Sequence, residues 1–473
     1  MFSASTKEAI KAALAIVFAL CLAMWFQWDK PYWAAIAVAV MALNETFAHS
    51  LQKGQNRIIG ALMGTGYALF LITLFSQDRF LFIAFYTLFL AVSLFMASDE
   101  KRGYIFVQGY TVCTIICCMG GFDSIYTFHY MMLRIQETLL GIVVFTLVYK
   151  LLWPVTTQSK FNQHYATLHT ALKAAVEQAQ QGTLSGDGIL PLQQSAKQLH
   201  NLLELPNSGS YDLQFYQQEW LERLREILVI THLLESVCKD RRNLAHYLPE
   251  VARLLAQFDA KTPITPLIPS PLFERAQRHL QHKPFSYPRS VKQHIKDDGL
   301  KVLQGVSMFV TAVLLWIYLP VPGGFVFPMI AGIFATNIPP LPPSAIKDAF
   351  WGTIGLGSFY LVQYVFLMPS FSELWQLASF YFINVVAIWK VFDTARLGIF
   401  RVLAVNLLLV LSSSAQNLTP SYSFSLPAMM VVYVLLLLMI ASFLLASSTP
   451  KHVITYPTDS TADHSTPGWS AYA

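Results

Sequence analysis

The chain has 473 residues, of which 55% are apolar and 12% charged, with a formal charge of +5. A soluble domain carries roughly 25% charged residues, so this balance excludes an ordinary soluble protein. A surplus this small over this length also excludes a dedicated nucleic-acid surface.

A membrane-crossing helix needs about 20 mostly apolar residues, because only a helix satisfies its own backbone in lipid. The first such stretch is 9–27. It has no clear small-residue cleavage site and runs at once into further apolar stretches, so it reads as a span and not a cleavable signal. Spans at 31–49, 56–75, 80–98, 104–121 and 134–153 follow. The apolar part of 31–49 is too short to cross alone. Cys113, Cys117 and Cys118 share one span, and Cys113 and Cys117 fall on one helical face. Small packing residues explain them better than a metal site or an extracellular disulfide scaffold.

Residues 155–298 are polar. The region 158–180 carries Phe161, Tyr165, Leu168, Leu172 and Val176 at helical spacing, and 192–206 and 214–240 repeat the pattern. Shorter helices are expected at 248–258 and 272–282, and loops at 182–188 and 262–271. The region has no phosphate-binding glycine loop, no metal spacing and no nucleophile elbow. Neither an ATP-driven pump nor an enzyme is indicated, and no cofactor is expected. A helical domain of this size suits bracing or subunit assembly.

The second apolar cluster predicts spans at 300–319, 325–338, 346–367, 372–390, 396–412 and 426–446. Laid over the first, Pro322 meets Pro31, and Gly355 and Gly357 meet Gly64 and Gly66. An even number of spans returns the chain to its starting side, so the halves share one orientation. The expected fold is an all-α polytopic membrane protein: two parallel six-helix transmembrane repeats flanking a helical cytoplasmic domain. The boundaries are 1–154, 155–298 and 299–450, with a flexible tail at 451–473. Gly60, Gly64 and Gly66, and Gly352, Gly355 and Gly357, are expected to form small-residue packing faces. Lys7, Lys11, Lys53, Arg57, Lys101, Arg102, Lys150, Lys347, Lys390, Arg396, Arg401 and Lys451 lie on the N-terminal side if spans alternate. That places both termini and the middle domain in the cytoplasm.

An ionisable group at membrane depth is costly unless paired or wet, which makes it a functional candidate. Asn44, Glu45 and His49 close the second span, and Lys53 and Arg57 continue the polar run at four-residue spacing. A carboxylate beside an imidazole can exchange a proton near neutral pH; equally, these residues mark a cytoplasmic helix end. The corresponding span of the second half runs to Asn337 and stops at Pro339, Pro340, Pro342 and Pro343. Paired short spans point to a central transport site, so 44–57 and 337–348, with Lys347 and Asp348, are candidates. Arg134 and Glu137 are three apart, suited to a helical ion pair or to a gate. Asn384 and Asn406 either line the bundle or bond between helices. Trp25, Trp28, Tyr32 and Trp33 read as an interface belt. Phe106, Gln108 and Tyr110 could line an aromatic path.

The run Pro31-Tyr-Trp-Ala-Ala-Ile-Ala-Val-Ala-Val, then Ser50-Leu-Gln-Lys-Gly, Arg57-Ile-Ile-Gly-Ala-Leu-Met-Gly, and Arg134, Glu137 and Gly141, resembles the fusaric acid resistance and aromatic acid exporter family of bacterial inner-membrane proteins. The resemblance is best over 7–153, moderate over 299–446 and weak between. It implies export of aromatic carboxylic acids or related small toxic compounds, driven by the proton gradient. It also implies an inner-membrane location and, as for some relatives, work with a periplasmic adaptor and an outer-membrane channel; a homodimer is the expected assembly. Lys53, Arg57 and Arg134 would then contact the anion, and Glu137 would couple protons or fix Arg134. The stretch Asn-Glu-Thr-Phe-Ala-His at 44–49 departs from the family, whose members commonly carry proline and less charge there. The competing readings are a passive organic-anion channel and a non-transporting envelope assembly protein.

Overall fold

The computed structural model describes residues 3–43, 47–99, 102–121, 123–154, 157–181, 188–203, 213, 215–239, 291–394, 397–417 and 419–448. The chain divides into two compact units. Met1–Glu45, Lys53–Pro154 and Ser290–Ala473 form one, and Thr46–Gln52 with Val155–Arg289 form the other. Every regular element among the described residues is helical.

The helices of the first half are α1 (Ala4–Trp25), α2 (Tyr32–Ala42), α3 (Phe47–Phe75), α4 (Arg79–Met96), α5 (Gly103–Gly120) and α6 (Ser124–Leu151). Short polar caps start several of them. Asp78 accepts from the Phe80 and Leu81 amides at 2.9 and 3.1 Å to open α4, and Asp123 does the same for α6 with Ile125 and Tyr126 at 2.8 and 3.1 Å. These caps satisfy amides that a helix start leaves orphaned, and so fix where the apolar run enters the bundle. The second half holds α10 (Val291–Tyr318), α11 (Val326–Asn337), α12 (Pro343–Val362), α13 (Leu374–Val391), α14 (Gly398–Leu411) and α15 (Ser425–Ser448). Pro343 opens α12 at a position where its missing amide costs nothing. A π-helical turn, Gln363–Leu367, continues α12.

Nine helices among the described residues are long and apolar enough to cross a membrane, and three shorter apolar helices accompany them: α2, α11 and α14. The shortness of α2 and α11 was expected. That of α14, predicted to fill 396–412, was not. The second predicted span also ends early. α2 stops at Ala42, and a new helix begins at Phe47, so His49, Lys53 and Arg57 belong to α3.

The two halves do not pack as separate bundles. α1 packs on α13, α4 on α10, α5 on α11 and α2 on α14. One apolar core joins Leu90, Leu94, Tyr110 and Cys113 of the first half to Phe309, Val313 and Ala335 of the second. Cys113 and Cys117 are buried in it, their sulfurs 3.9 Å apart.

Glycines set the closest crossings, though not all those expected. A Cβ on Gly64 would lie 2.0 Å from the Gly109 carbonyl oxygen, and one on Gly60 would lie 2.7 Å from that of Ile105. α3 and α5 therefore meet backbone to backbone. Gly66 faces open space, because two residues carry it to the other side of the helix. In the second half, Gly352 meets only side chains, Gly355 meets nothing, and Gly357 makes ordinary contact with Val431. The second small-residue face is not the counterpart of the first.

The other unit contains α7 (Thr157–Gln180), α8 (Leu190–Leu203) and α9 (Gln217–Lys239). Phe161, Leu172, Leu199, Leu224 and Ile230 form its core. The Trp220 ring stands edge-on to Phe161 and Tyr165, with centroids 4.8 and 5.0 Å away. The helices expected at 248–258 and 272–282 lie outside the described residues.

Two stability outcomes follow. Gly64→Leu should force α3 from α5, and thermal unfolding in detergent should show a lower midpoint than for Gly66→Leu. Leu224→Ala should cost about 2–5 kcal/mol in the second unit, read by denaturant unfolding of the full chain.

Candidate functional site

The polar residues of the first half converge on one small enclosed space. Trp33, Arg57, Gln108, Thr111, Val112, Ile115, Arg134, Glu137 and Thr138 line a cavity of about 10 Å³. That is room for at most one water molecule.

Close helix packing places each side chain. A Cβ on Gly141 would lie 2.7 Å from the Ala37 Cβ and 3.0 Å from the Ala34 carbonyl oxygen. With glycine there, α2 settles against α6, and the Trp33 ring lies under the Arg134 guanidinium, 4.2 Å from centroid to Cζ. Arg134 Nη2 stands 2.9 Å from Glu137 Oε2, one helical turn on. From the other side, the α3–α5 crossing brings in Arg57, whose Nη1 donates to the Tyr104 hydroxyl at 3.0 Å. That hydroxyl in turn donates to Gln108 Oε1 at 3.4 Å. Lys53 lies one turn before Arg57 and holds its Nζ 5.0 Å from the Tyr104 ring centroid.

Burial makes the electrostatics consequential. Arg57, Arg134 and Glu137 are 7%, 5% and 1% exposed. Two guanidinium groups thus face a single carboxylate among the residues lining the cavity. One positive charge is left without a counter-charge there, and buried charge is strongly disfavoured unless paired. Trp33 Nε1, Arg57 Nε, Arg134 Nε and Glu137 Oε1 have no hydrogen-bond partner among the described residues. Such groups are costly inside a protein and concentrate where a ligand or a proton is handled. Arg134, Arg57, Trp33 and the threonines supply donors and a ring face. They suit a planar anion with an aromatic body.

The sequence candidates divide sharply. Arg57, Arg134 and Glu137 share the cavity, and Lys53 stands next to it through Tyr104. Asn44 and Glu45, with the side chain of His49, lie outside the described residues. The second-half candidates do not reach the cavity. Asn337 donates to the Ile333 carbonyl at 2.7 Å, Asn384 to that of Phe380 at 3.0 Å and Asn406 to that of Val402 at 2.8 Å. Each amide bonds to its own preceding helical turn, so neither Asn384 nor Asn406 bridges helices through it. Lys347 and Asp348 are exposed. Arg401 donates from Nε to the Phe392 carbonyl at 2.9 Å and caps the end of α13, with Asp393 3.6 Å away.

Trp33 was read as part of an interface belt, and the close α2–α6 packing turns it inward instead. Trp25 is 80% exposed. Of the residues read as a possible aromatic path, Gln108 lines the cavity, whereas Tyr110 is buried in the apolar core. Tyr104, Thr111 and Thr138 carried no signal in the sequence, because their roles depend on which helix lies opposite. No group of three or more His, Cys, Asp or Glu side chains suited to a metal occurs among the described residues.

No solved structure matches the chain. Two curated relatives carry the name p-hydroxybenzoic acid efflux pump subunit AaeB. The one from Musicola paradisiaca is 29% identical over 119 residues, covering 23% of this chain and 18% of the relative. The one from Edwardsiella tarda is 29% identical over 167 residues, covering 33% of this chain and 26% of the relative. The chain therefore matches about a quarter or less of those relatives' length. The model of the fusaric acid resistance protein family matches residues 8–296, which takes in most of α1, all of α2 to α9 and the whole cavity, and the chain belongs to that family.

Proposed function

We propose that this membrane protein exports aromatic carboxylic acids or related small toxic compounds, coupled to the proton gradient. The observation that carries the reading is the buried cavity with two arginines, one glutamate and a tryptophan face. A carboxylate would supply the missing negative charge beside Arg57 and Arg134, and its ring would pack on Trp33. The names of the relatives, which refer to p-hydroxybenzoic acid efflux, support the same substrate class.

Coupling follows from the charge balance. An arriving anion competes with Glu137 for Arg134. Protonating Glu137 releases the arginine to the substrate, and losing that proton restores the ion pair. Glu45 and His49 are the candidates for relaying the proton. The cavity favours a coupled transporter over a passive organic-anion channel. At about 10 Å³ it is far below the roughly 300 Å³ of small-molecule sites, so a substrate has to open it.

On this reading the chain works in the bacterial inner membrane as a homodimer. Its termini and residues 155–298 face the cytoplasm, as the distribution of Lys and Arg suggests. The two halves act as parallel repeats. Their packing supports this, since the α1–α13 and α4–α10 contacts exchange when each helix is replaced by its counterpart in the other half, as do α2–α14 and α5–α11. The relatives are named as pump subunits, and we extend this to a periplasmic adaptor and an outer-membrane channel as partners.

Arg134→Gln should lower the flux of p-hydroxybenzoate into proteoliposomes about tenfold or more, since it also strands Glu137. Arg134→Lys should recover only part of it, because the planar fork is lost. Wild-type flux in Arg134→Gln would remove the anion-site assignment. Glu137→Gln and Glu45→Gln should each make uptake insensitive to an imposed pH gradient. Full gradient-driven transport in both variants sinks the carboxylate role.

A further inference from the structure

The cavity itself cannot be where an aromatic acid first binds, because it holds no more than a water. The step before it falls on Tyr104. This side chain is half-buried and lines no part of the cavity, yet it touches three groups that matter. One face of its ring lies 5.0 Å from the half-buried Lys53 ammonium. Its hydroxyl accepts from Arg57 at 3.0 Å and donates to Gln108 at 3.4 Å, and both of those side chains line the cavity. Arg57 is 7% exposed, and its Nε has no partner among the described residues.

We propose that Tyr104 and Lys53 form a mouth subsite that selects aryl carboxylates before they reach the Arg57–Arg134 cavity. The inference rests on the export reading above. The cation and the ring face lie close enough for one small aryl acid to use both. Its carboxylate pairs with Lys53, drawing the ammonium off the ring, and its own ring stacks on the face so released. Arg57 is one hydrogen bond further in. Passing the carboxylate from Lys53 to Arg57 breaks the Arg57–Tyr104 bond, while Tyr104 keeps its own bond to Gln108 at the cavity wall. Trp33 cannot serve this first step, because it lines the closed cavity itself. An alkyl carboxylate would engage Lys53 equally and gain nothing from Tyr104. The ring therefore decides preference, and the lysine decides capture.

The full-length chain in proteoliposomes tests this by competition, with labelled benzoate as substrate and hexanoate as rival. Wild type should prefer benzoate. Tyr104→Leu should lower that preference roughly fivefold, while Tyr104→Phe keeps it. Lys53→Gln should raise KM for both acids and leave their ratio unchanged. A purely structural role would depress both acids together without moving the ratio. If Tyr104→Leu fails to fold, Tyr104→Trp carries the test, and its preference should hold or rise. An unchanged ratio in an active Tyr104→Leu, or a fall in Tyr104→Trp, overturns the inference while leaving export intact. Wild-type vesicles with no saturable uptake of either acid overturn the export reading, and the subsite with it.

Discussion

The meeting of Arg57, Arg134 and Glu137 depends on two close helix crossings. At Gly64 and Gly109, α3 and α5 meet with no side chain between them. At Gly141, α6 accepts the backbone of α2. In lipid there is no hydrophobic drive between helices, so association relies on such close packing and on interhelical hydrogen bonds. The first crossing sets Arg57 beside Tyr104 and Gln108. The second slides Trp33 under Arg134. A methyl group at either crossing would separate helices whose spacing keeps the cavity closed to all but a water.

The energetic logic of the cavity follows from that closeness. An arginine buried in a membrane helix is tolerated when it is covered, and Arg134 is covered twice, by Glu137 at 2.9 Å and by the Trp33 ring. Among the described residues, Arg57 donates to the neutral Tyr104 hydroxyl. The surplus positive charge is held in place by tertiary packing, and a binding anion would relieve it. The second half solves a different problem. α11 and α15 contain no charged residue. Its buried Asp298 pairs with Lys301 at 2.9 Å, and deeper in the chain lies a neutral network in which Tyr381 bonds Ser412 at 2.6 Å and Gln416 donates to Tyr381 at 2.8 Å. Neutral networks of this kind fix helix positions without a desolvated charge. The cavity is lined by first-half residues, and helices of the second half pack against that half.

Much of this was legible before any coordinates. Hydropathy located the membrane helices and separated them from the amphipathic 158–180, 192–206 and 214–240, because helical periodicity is a local property. Arg134 and Glu137 stood out, since two ionisable residues one turn apart in an apolar run are rare and costly. The same reasoning overreached at 337–348. Prolines do end α11 there, but Asn337 satisfies its own helix, and Lys347 and Asp348 are exposed. A short helix is a local fact, whereas facing a cavity is not.

Residue order alone specified a helical membrane protein with a polar helical insert, and it set Arg134 and Glu137 apart within an apolar run. It did so because burial, period and capping are written within one helix. Only the tertiary structure decided that Arg57, from α3, meets Arg134 and Glu137, from α6, around one cavity with Trp33. Only it decided that Tyr104 links Lys53 to that cavity. These meetings depend on the rotation and height of one helix against another, which glycine contacts set to within a fraction of an ångström and which no single helix encodes.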